Sequence, residues 1–300
     1  MRIVVAGGTG FIGGALTGRL AAEGHEVIAL SRDPDHASIP RGVQFVRWDG
    51  VSPGDWASSV RDAGAVVNLA GASIAGGRWT SWRKREILSS RVNATRALID
   101  AVARGGGSPP VFVSSSAVGY YGEVKTGDVT EDQPPGSGFL ADVCVRWEQE
   151  ALAATEVGSR VVILRTGVVL GRGGGALPKM MLPFRFFAGG PVGTGRQEFP
   201  WIHIDDVAGI VAFAISRAEV SGPLNVAAPG CTDIGAFCSA LGRAISRPSW
   251  LPVPSFALRA ALGEMADMLL TGQRVVPARL TALGYTFKYP SLAPALASVV

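Results

Sequence analysis

Three hundred residues, 47% of them hydrophobic and 17% charged, are enough for one large globular domain or two unequal ones. The net charge of +4 is small for this length and spread along the chain, which fits an anionic cofactor better than nucleic acid. Apolar runs are strand-sized and broken by Gly, Arg or Asp, so no membrane-spanning helix is expected. Met1-Arg2 leads directly into a strand pattern, so no signal peptide is expected and a cytoplasmic location is the default. Cys144, Cys231 and Cys238 are odd in number and unpatterned, and His25, His36 and His203 are scattered. Neither a disulfide framework nor a metal site is expected.

The first predicted strand, Arg2 to Ala6, runs into Gly7-Gly8-Thr9-Gly10-Phe11-Ile12-Gly13, a GxxGxxG turn opening a helix from Phe11 to Glu23. Gly7 permits the tight turn, Gly10 lets backbone approach a diphosphate, and Gly13 allows the helix to pack against the sheet. The free N–H groups and positive dipole end of that helix suit an anion. A second strand, His25 to Leu30, completes the setting for a dinucleotide. An NAD site usually places an acid at its end to hold the ribose hydroxyls. Here Ser31 stands instead, followed by Arg32, whose planar cationic fork suits a 2′-phosphate. Asp33 is read as the start of an Asp33-Pro34 turn. The expected cofactor is therefore NADP, in its reduced form NADPH.

Further strands are predicted at Val43 to Trp48, Ala65 to Leu69, Val111 to Ser115 and Val161 to Arg165, with helices from Ser81 to about Arg104 and Gly138 to about Thr155. The alternation argues for an α/β fold: a Rossmann-type, doubly wound parallel sheet with helices on both faces. From Gly171 the character changes. A Gly-rich, ligand-approaching loop (Gly171 to Gly175) precedes a helix from Leu177 to Ala188 and another loop through Arg196. Ile202 to Ile204 reads as extended, and Asp205-Asp206 as N-caps of a helix to Arg217. Pro223 to Ala227 is a strand, and beyond Pro229 the chain reads as mainly helical, ending in a helix from Pro277 that Gly284 stops.

Several of these segments together resemble the extended short-chain dehydrogenases/reductases, a superfamily that includes sugar-nucleotide epimerases and dehydratases. They are the glycine turn, Asn68-Leu69-Ala70-Gly71, Ser114-Ser115-Ser116-Ala117, Leu164 to Gly171 and His203-Ile204-Asp205-Asp206. Trp79, Lys84, Ser90-Arg91, Ser116 to Gly122, Phe139 to Cys144 with Trp147-Glu148, and the block Leu262 to Asp267 with Gly272 to Val275 and Pro277 resemble its atypical "epimerase family protein" branch. The likeness covers essentially the whole chain. It implies an NADP-binding domain of residues 1–170 with about 205–228, and a smaller, mainly helical substrate-binding part of residues 171–204 and 229–300. It also implies cofactor contacts from Thr9, Phe11, Ile12, Leu69, Ala70, Gly71 and Ser115, beside Gly7, Gly10, Gly13, Ser31 and Arg32. A homodimer through the Ser81 and Gly138 helices follows from the resemblance alone.

In that superfamily a Tyr, with a Lys four residues later, exchanges a proton with substrate, helped by a Ser and an Asn. Ser116 fits the serine position, but Phe139 and Val143 stand where the Tyr and Lys belong, and Arg91 where the Asn belongs. The literal Tyr121…Lys125 pair has Gly122 inside it and a loop after it, so its helical geometry is not expected. Tyr120 and Tyr121 remain as surrogate acids or as packing tyrosines. Arg91 is either a cationic surrogate or a structural Arg paired with a carboxylate. Arg196 could clamp an anionic substrate group, with Lys179, Arg185 and His203 nearby by analogy, although His203 is more often a structural histidine. Trp79, Trp82 and Trp201 are pocket or core candidates, core packing being the default. Two functions fit: an NADP-dependent oxidoreductase or epimerase acting on a small polar substrate, anionic if these cations serve it, or a non-catalytic NADP-binding sensor.

Overall fold

The computed structural model describes residues 1–32, 41–105 and 111–300, and the expected Asp33-Pro34 turn lies outside them. The first half alternates strand and helix: β1 (Arg2–Ala6), α1 (Phe11–Ala22), β2 (Glu26–Ser31), β3 (Val43–Arg47), β4 (Ala65–Asn68), α2 (Ser81–Arg104), β5 (Val111–Ala117), β6 (Asp128–Val129), α3 (Phe139–Leu152) and β7 (Arg160–Thr166). There follow β8 (Val168–Leu170), α4 (Leu177–Arg185), β9 (Trp201–His203), α5 (Ile204–Ser216) and β10 (Gly222–Val226). The chain ends in α6 (Ile234–Ala244), α7 (Ser255–Leu262), α8 (Asp267–Leu270), β11 (Arg274–Val275), α9 (Ala278–Ala282) and α10 (Leu292–Val299).

Seven strands pair in the order β10-β7-β5-β4-β1-β2-β3, all parallel. A parallel sheet is covered on both faces, which is why its strands read as near-continuous apolar runs. Because successive side chains alternate, Ile3 and Val5 pack with Leu16 and Leu20 of α1 and Ile210 and Val211 of α5. Val4 and Ala6 face the other way, onto Ala94, Leu98 and Val102 of α2. The first of these clusters continues into the C-terminal part through Phe237 and Leu241 of α6 and Leu296 of α10.

Several expectations need correction. The cap of α5 is His203, whose Nδ1 accepts the Asp205 N–H at 3.0 Å, while Asp205 and Asp206 sit inside the first turn. The Leu177 helix ends at Arg185, and Phe187 turns to φ +59°. The chain does not end in the Pro277 helix: α10 follows beyond the Gly284 stop and was not expected. The strands β6 and β11 were also missed: two residues each, pairing Asp128 with Arg274 and Val129 with Val275. They tie the loop after β5 to the C-terminal part. Fully buried Asn225 at the end of β10 holds both partners, its Nδ2 donating to Val129 O at 3.1 Å and Val276 O at 2.9 Å.

Candidate functional site

The carboxyl ends of β1, β4, β5 and β7 lie along one edge of the sheet, where parallel α/β folds bind ligands. At the first of them Gly7 adopts φ +76°, a conformation that disfavours other residues, and a Cβ there would come 3.0 Å from the Leu69 backbone. A methyl group on Gly13 would lie 2.8 Å from Gly8 Cα and closer still to the Gly7 carbonyl oxygen. Gly13 therefore packs on the turn itself. The glycine that lies against the sheet is Gly8, where a Cβ would come 2.5 Å from that of Ala29. Gly10 caps α1 without a side chain, leaving the first-turn N–H groups of Phe11 and Ile12 available to an anion. A close-approach turn joined to an uncapped helix start fits a diphosphate.

Thr9 Oγ1 and Ser31 Oγ lie 2.9 Å apart, joining the glycine turn to the end of β2, and Arg32 is exposed beside them. No carboxylate stands at residue 31 or 32 to repel a 2′-phosphate. The loop after β4 is built from behind. Asn68 accepts from Ala70 N at 3.1 Å and donates to Thr95 Oγ1 at 2.8 Å, which also receives Trp147 Nε1 at 3.1 Å. Leu69 N donates to Ala6 O, so Leu69, Ala70 and Gly71 run beside the turn. Arg91 supports the same loop, giving Nη1 to Ala72 O at 3.1 Å and Ile87 O at 2.9 Å, and lies 5.0 Å from the Trp147 ring. The carboxylate partner expected for a structural Arg91 is replaced by backbone carbonyls. Burial pulls its guanidinium below the ordinary arginine range. The Phe11 ring meets the Gly171–Gly175 loop, where a Cβ at Gly171 would be 2.8 Å from it.

The other catalytic candidates, Ser116, Tyr120 and Tyr121, are held by a buried network around Arg165 that the sequence did not reveal. Arg165 and Glu148 form a two-pronged ion pair at 3.0 and 2.9 Å, and Ser116 Oγ donates to the same carboxylate at 2.6 Å. Tyr121 donates to Asn225 Oδ1 at 2.6 Å and accepts from Arg165 Nη1 at 3.0 Å. The Tyr120 ring lies 3.5 Å from the Arg165 guanidinium carbon. Burial pushes the Tyr121 phenol up to about 12 despite the opposing Arg165 charge. Its hydroxyl is fully engaged and poorly suited to proton exchange near neutral pH. Lys125 does not join it on a helix: Tyr121 ends a short 3-10 turn and Gly122 has φ +62°. Ser115 lies in β5, in register with Leu164.

Past the ends of β5 and β7 opens a cavity of about 470 Å³, whose walls include Val118, Gly119 and Val168 together with Phe139 and Leu140 at the head of α3. Trp79 lines it too, edge-on to Phe139 at 5.1 Å. Trp201 is core and Trp82 is exposed. Glu198, Glu264, Asp267 and Gln273 also line the cavity, and none of them was singled out from the sequence for its chemistry. Arg196 is exposed and not among the lining residues, and Lys179 is spent on Ala75 O at 2.7 Å. His203 is buried between its cap bond and Ser298 Oγ at 3.0 Å, as a structural histidine, and burial lowers its pKa. The described residues hold no cluster of metal-ligating side chains and no helix long and apolar enough to cross a membrane.

Strand order, glycine turn and the position of the cavity define a Rossmann-type protein of the extended short-chain dehydrogenase/reductase kind. The chain belongs to the NAD dependent epimerase/dehydratase family, which matches residues 3–227, and a domain of unknown function, DUF1731, matches residues 253–299. It is 43% identical over 304 residues to the mouse epimerase family protein SDR39U1, covering all of both chains. It is 40% identical over 303 residues to epimerase family protein YfhF of Bacillus subtilis, covering 100% of this chain and 98% of that one. A crystal structure of human SDR39U1 with NADPH superposes with a TM-score of 0.89 at 40% identity, covering 100% and 99% of the two chains. A nucleoside-diphosphate sugar epimerase from Corynebacterium glutamicum gives 0.78 at 33%, covering 99% of this chain and 57% of the other.

Proposed function

We propose that this chain is an NADPH-binding oxidoreductase or epimerase-like enzyme whose small-molecule substrate occupies the cavity beside the head of α3. The observation that carries this reading is the placement of an uncapped glycine turn and an open cavity along the same carboxyl edge of the sheet. The human relative bound to NADPH supports the cofactor. The α1 N–H groups and the Gly7–Gly10 backbone would receive the diphosphate, the Thr9–Ser31 pair would face the adenine-side ribose, and Arg32 would meet the 2′-phosphate. When bound, the nicotinamide would exchange a hydride with a substrate carbon, the reduced form giving it to a carbonyl-type carbon and the oxidised form taking it from a carbinol-type one. Phe139 offers no hydroxyl there and Tyr121 is locked, so the accompanying proton moves through water, another cavity group or the substrate itself. In this proposal the Rossmann part is residues 1–170 with about 205–228, and the chain works in the cytoplasm as a homodimer through α2 and α3.

Calorimetry with NADPH and NADH on the native protein and on Arg32→Ala tests the cofactor assignment. Loss of one charge-assisted contact should weaken NADPH about tenfold or more and leave NADH within about twofold. Equal weakening of both would remove Arg32 from the 2′-phosphate, and no heat with either nucleotide on folded protein would refute the proposal. A second reading, a non-catalytic NADP(H) sensor, is favoured by Phe139 and Val143 at the Tyr and Lys positions. Consumption of NADPH with any member of a metabolite panel, beyond one equivalent per chain, would exclude it.

A further inference from the structure

The cavity is lined by the apolar side chains of Trp79, Phe139, Leu140 and Met268 and by the acids Glu198, Glu264 and Asp267, with Arg259 among them. Two of the three acids are already neutralised. Glu264 pairs with Lys84, whose ammonium also sits 5.2 Å from the Phe139 ring centre, and Asp267 pairs with Arg259 at 3.0 Å. Glu123, exposed at the rim, adds a further negative charge. Glu198 is different: it is half-buried, and its carboxylate has no hydrogen bond or ion pair among the described residues. Its position is imposed by backbone. Gly272 packs against the Glu198 carbonyl so tightly that no side chain fits there, and the Glu198 backbone bridges Asp233.

Arg274 offsets the charge of this carboxylate only in part. It is near, but its Nε is bonded to Asp128 at 3.0 Å, and Asp128 and Asp233 both add negative potential. Burial is the largest influence on Glu198, raising its pKa. A partly desolvated carboxylate without a hydrogen-bonded partner is less stable than one in water, and a ligand that brings a cation or a strong donor relieves that cost. A phosphate or diphosphate entering the same space would meet like charge, with Arg259 already engaged.

Resting on the function proposed above, we infer that the cavity takes a substrate with an apolar body and a protonated amine. Glu198 is the specificity-determining side chain, and phosphate esters, nucleoside diphosphates among them, are rejected. The amine would lie at the Glu198 carboxylate and the apolar body against Trp79, Phe139 and Leu140.

Benzylamine, benzyl alcohol and benzyl phosphate share one ring and differ only in the polar end, so ligand-observed NMR titration of all three onto the NADPH-loaded protein tests the inference. A partly screened ion pair should make benzylamine bind about fivefold more tightly than benzyl alcohol, with benzyl phosphate weaker than either. Glu198→Gln should erase the amine preference while leaving benzyl alcohol within about twofold of its native affinity. Leu140→Trp, which narrows the cavity, should weaken benzylamine and benzyl alcohol together and so locate the binding. Benzyl phosphate binding as tightly as benzylamine, a preference that survives in Glu198→Gln, or no binding of benzylamine would each overturn the inference. Calorimetry with NADPH alone reads the proposed function separately, and should it fail, the amine preference is still measured on the unloaded chain.

Discussion

Replacing Tyr121 by Phe separates a structural tyrosine from a catalytic one. The phenol makes two buried bonds, donating to Asn225 Oδ1 at 2.6 Å and accepting from Arg165 Nη1 at 3.0 Å. Without it Asn225 Oδ1 loses its donor in a fully buried site, whereas Arg165 Nη1 keeps the Glu131 carbonyl at 3.1 Å. An orphaned buried acceptor costs about 1–3 kcal/mol, and the relieved desolvation of the phenol offsets part of the rest, so a loss of about 2 kcal/mol is expected. At a urea slope of about 3 kcal/mol/M this lowers the denaturation midpoint by roughly 0.7 M. The NADPH affinity of the folded variant should stay within about twofold of the native value, because the hydroxyl faces Asn225 rather than the glycine turn. An unchanged midpoint with NADPH binding lost would refute this reasoning and return Tyr121 to the site.

The remaining predictions concern the turn, the ion pair and the histidine cap. Gly13→Ala forces a methyl group onto the Gly7 carbonyl and Gly8 Cα, so NADPH affinity measured by calorimetry should fall at least about tenfold; native affinity would mean that the turn relaxes freely. Glu148→Gln leaves the Arg165 charge uncompensated in the interior and should cost about 3–5 kcal/mol in chemical denaturation, and a loss below about 1 kcal/mol would show that the pair is not the anchor of the network. His203 has a folded pKa below its ordinary 6.5, so the unfolded chain binds the proton first as the solution is acidified. Its contribution is fully present above about pH 6.5 and is lost as pH falls through the lower folded value. His203→Asn keeps a capping acceptor and should flatten the stability profile as pH falls below about 6.5. An identical slope in the variant would assign that dependence to another group.

The elements that sequence alone located are those whose causes are local. A buried five-residue strand, glycines at fixed spacing and an apolar helical stripe are properties of neighbouring residues, and β1, α1 and α2 lie where their patterns place them. The choice of Ser31 and Arg32 over an acid is local in the same way. The division of labour among the glycines was less legible. That Gly8, and not Gly13, lies against the sheet depends on Ala29, in a strand about twenty residues away.

Everything that decided the chemistry is nonlocal. Glu148, Arg165, Tyr121 and Asn225 are separated by up to 104 residues, and only the sheet order brings them together. The same is true of Glu198, placed in the cavity by Gly272, and of β6 and β11, each too short to carry a period of its own. Sequence pattern therefore determined the frame and its cofactor turn, because short-range sterics and hydrophobic periodicity are enough to specify them. Tertiary packing decided which hydroxyls are spent and which carboxylate faces the cavity, because burial and pairing of a polar group depend on what the folded chain sets against it.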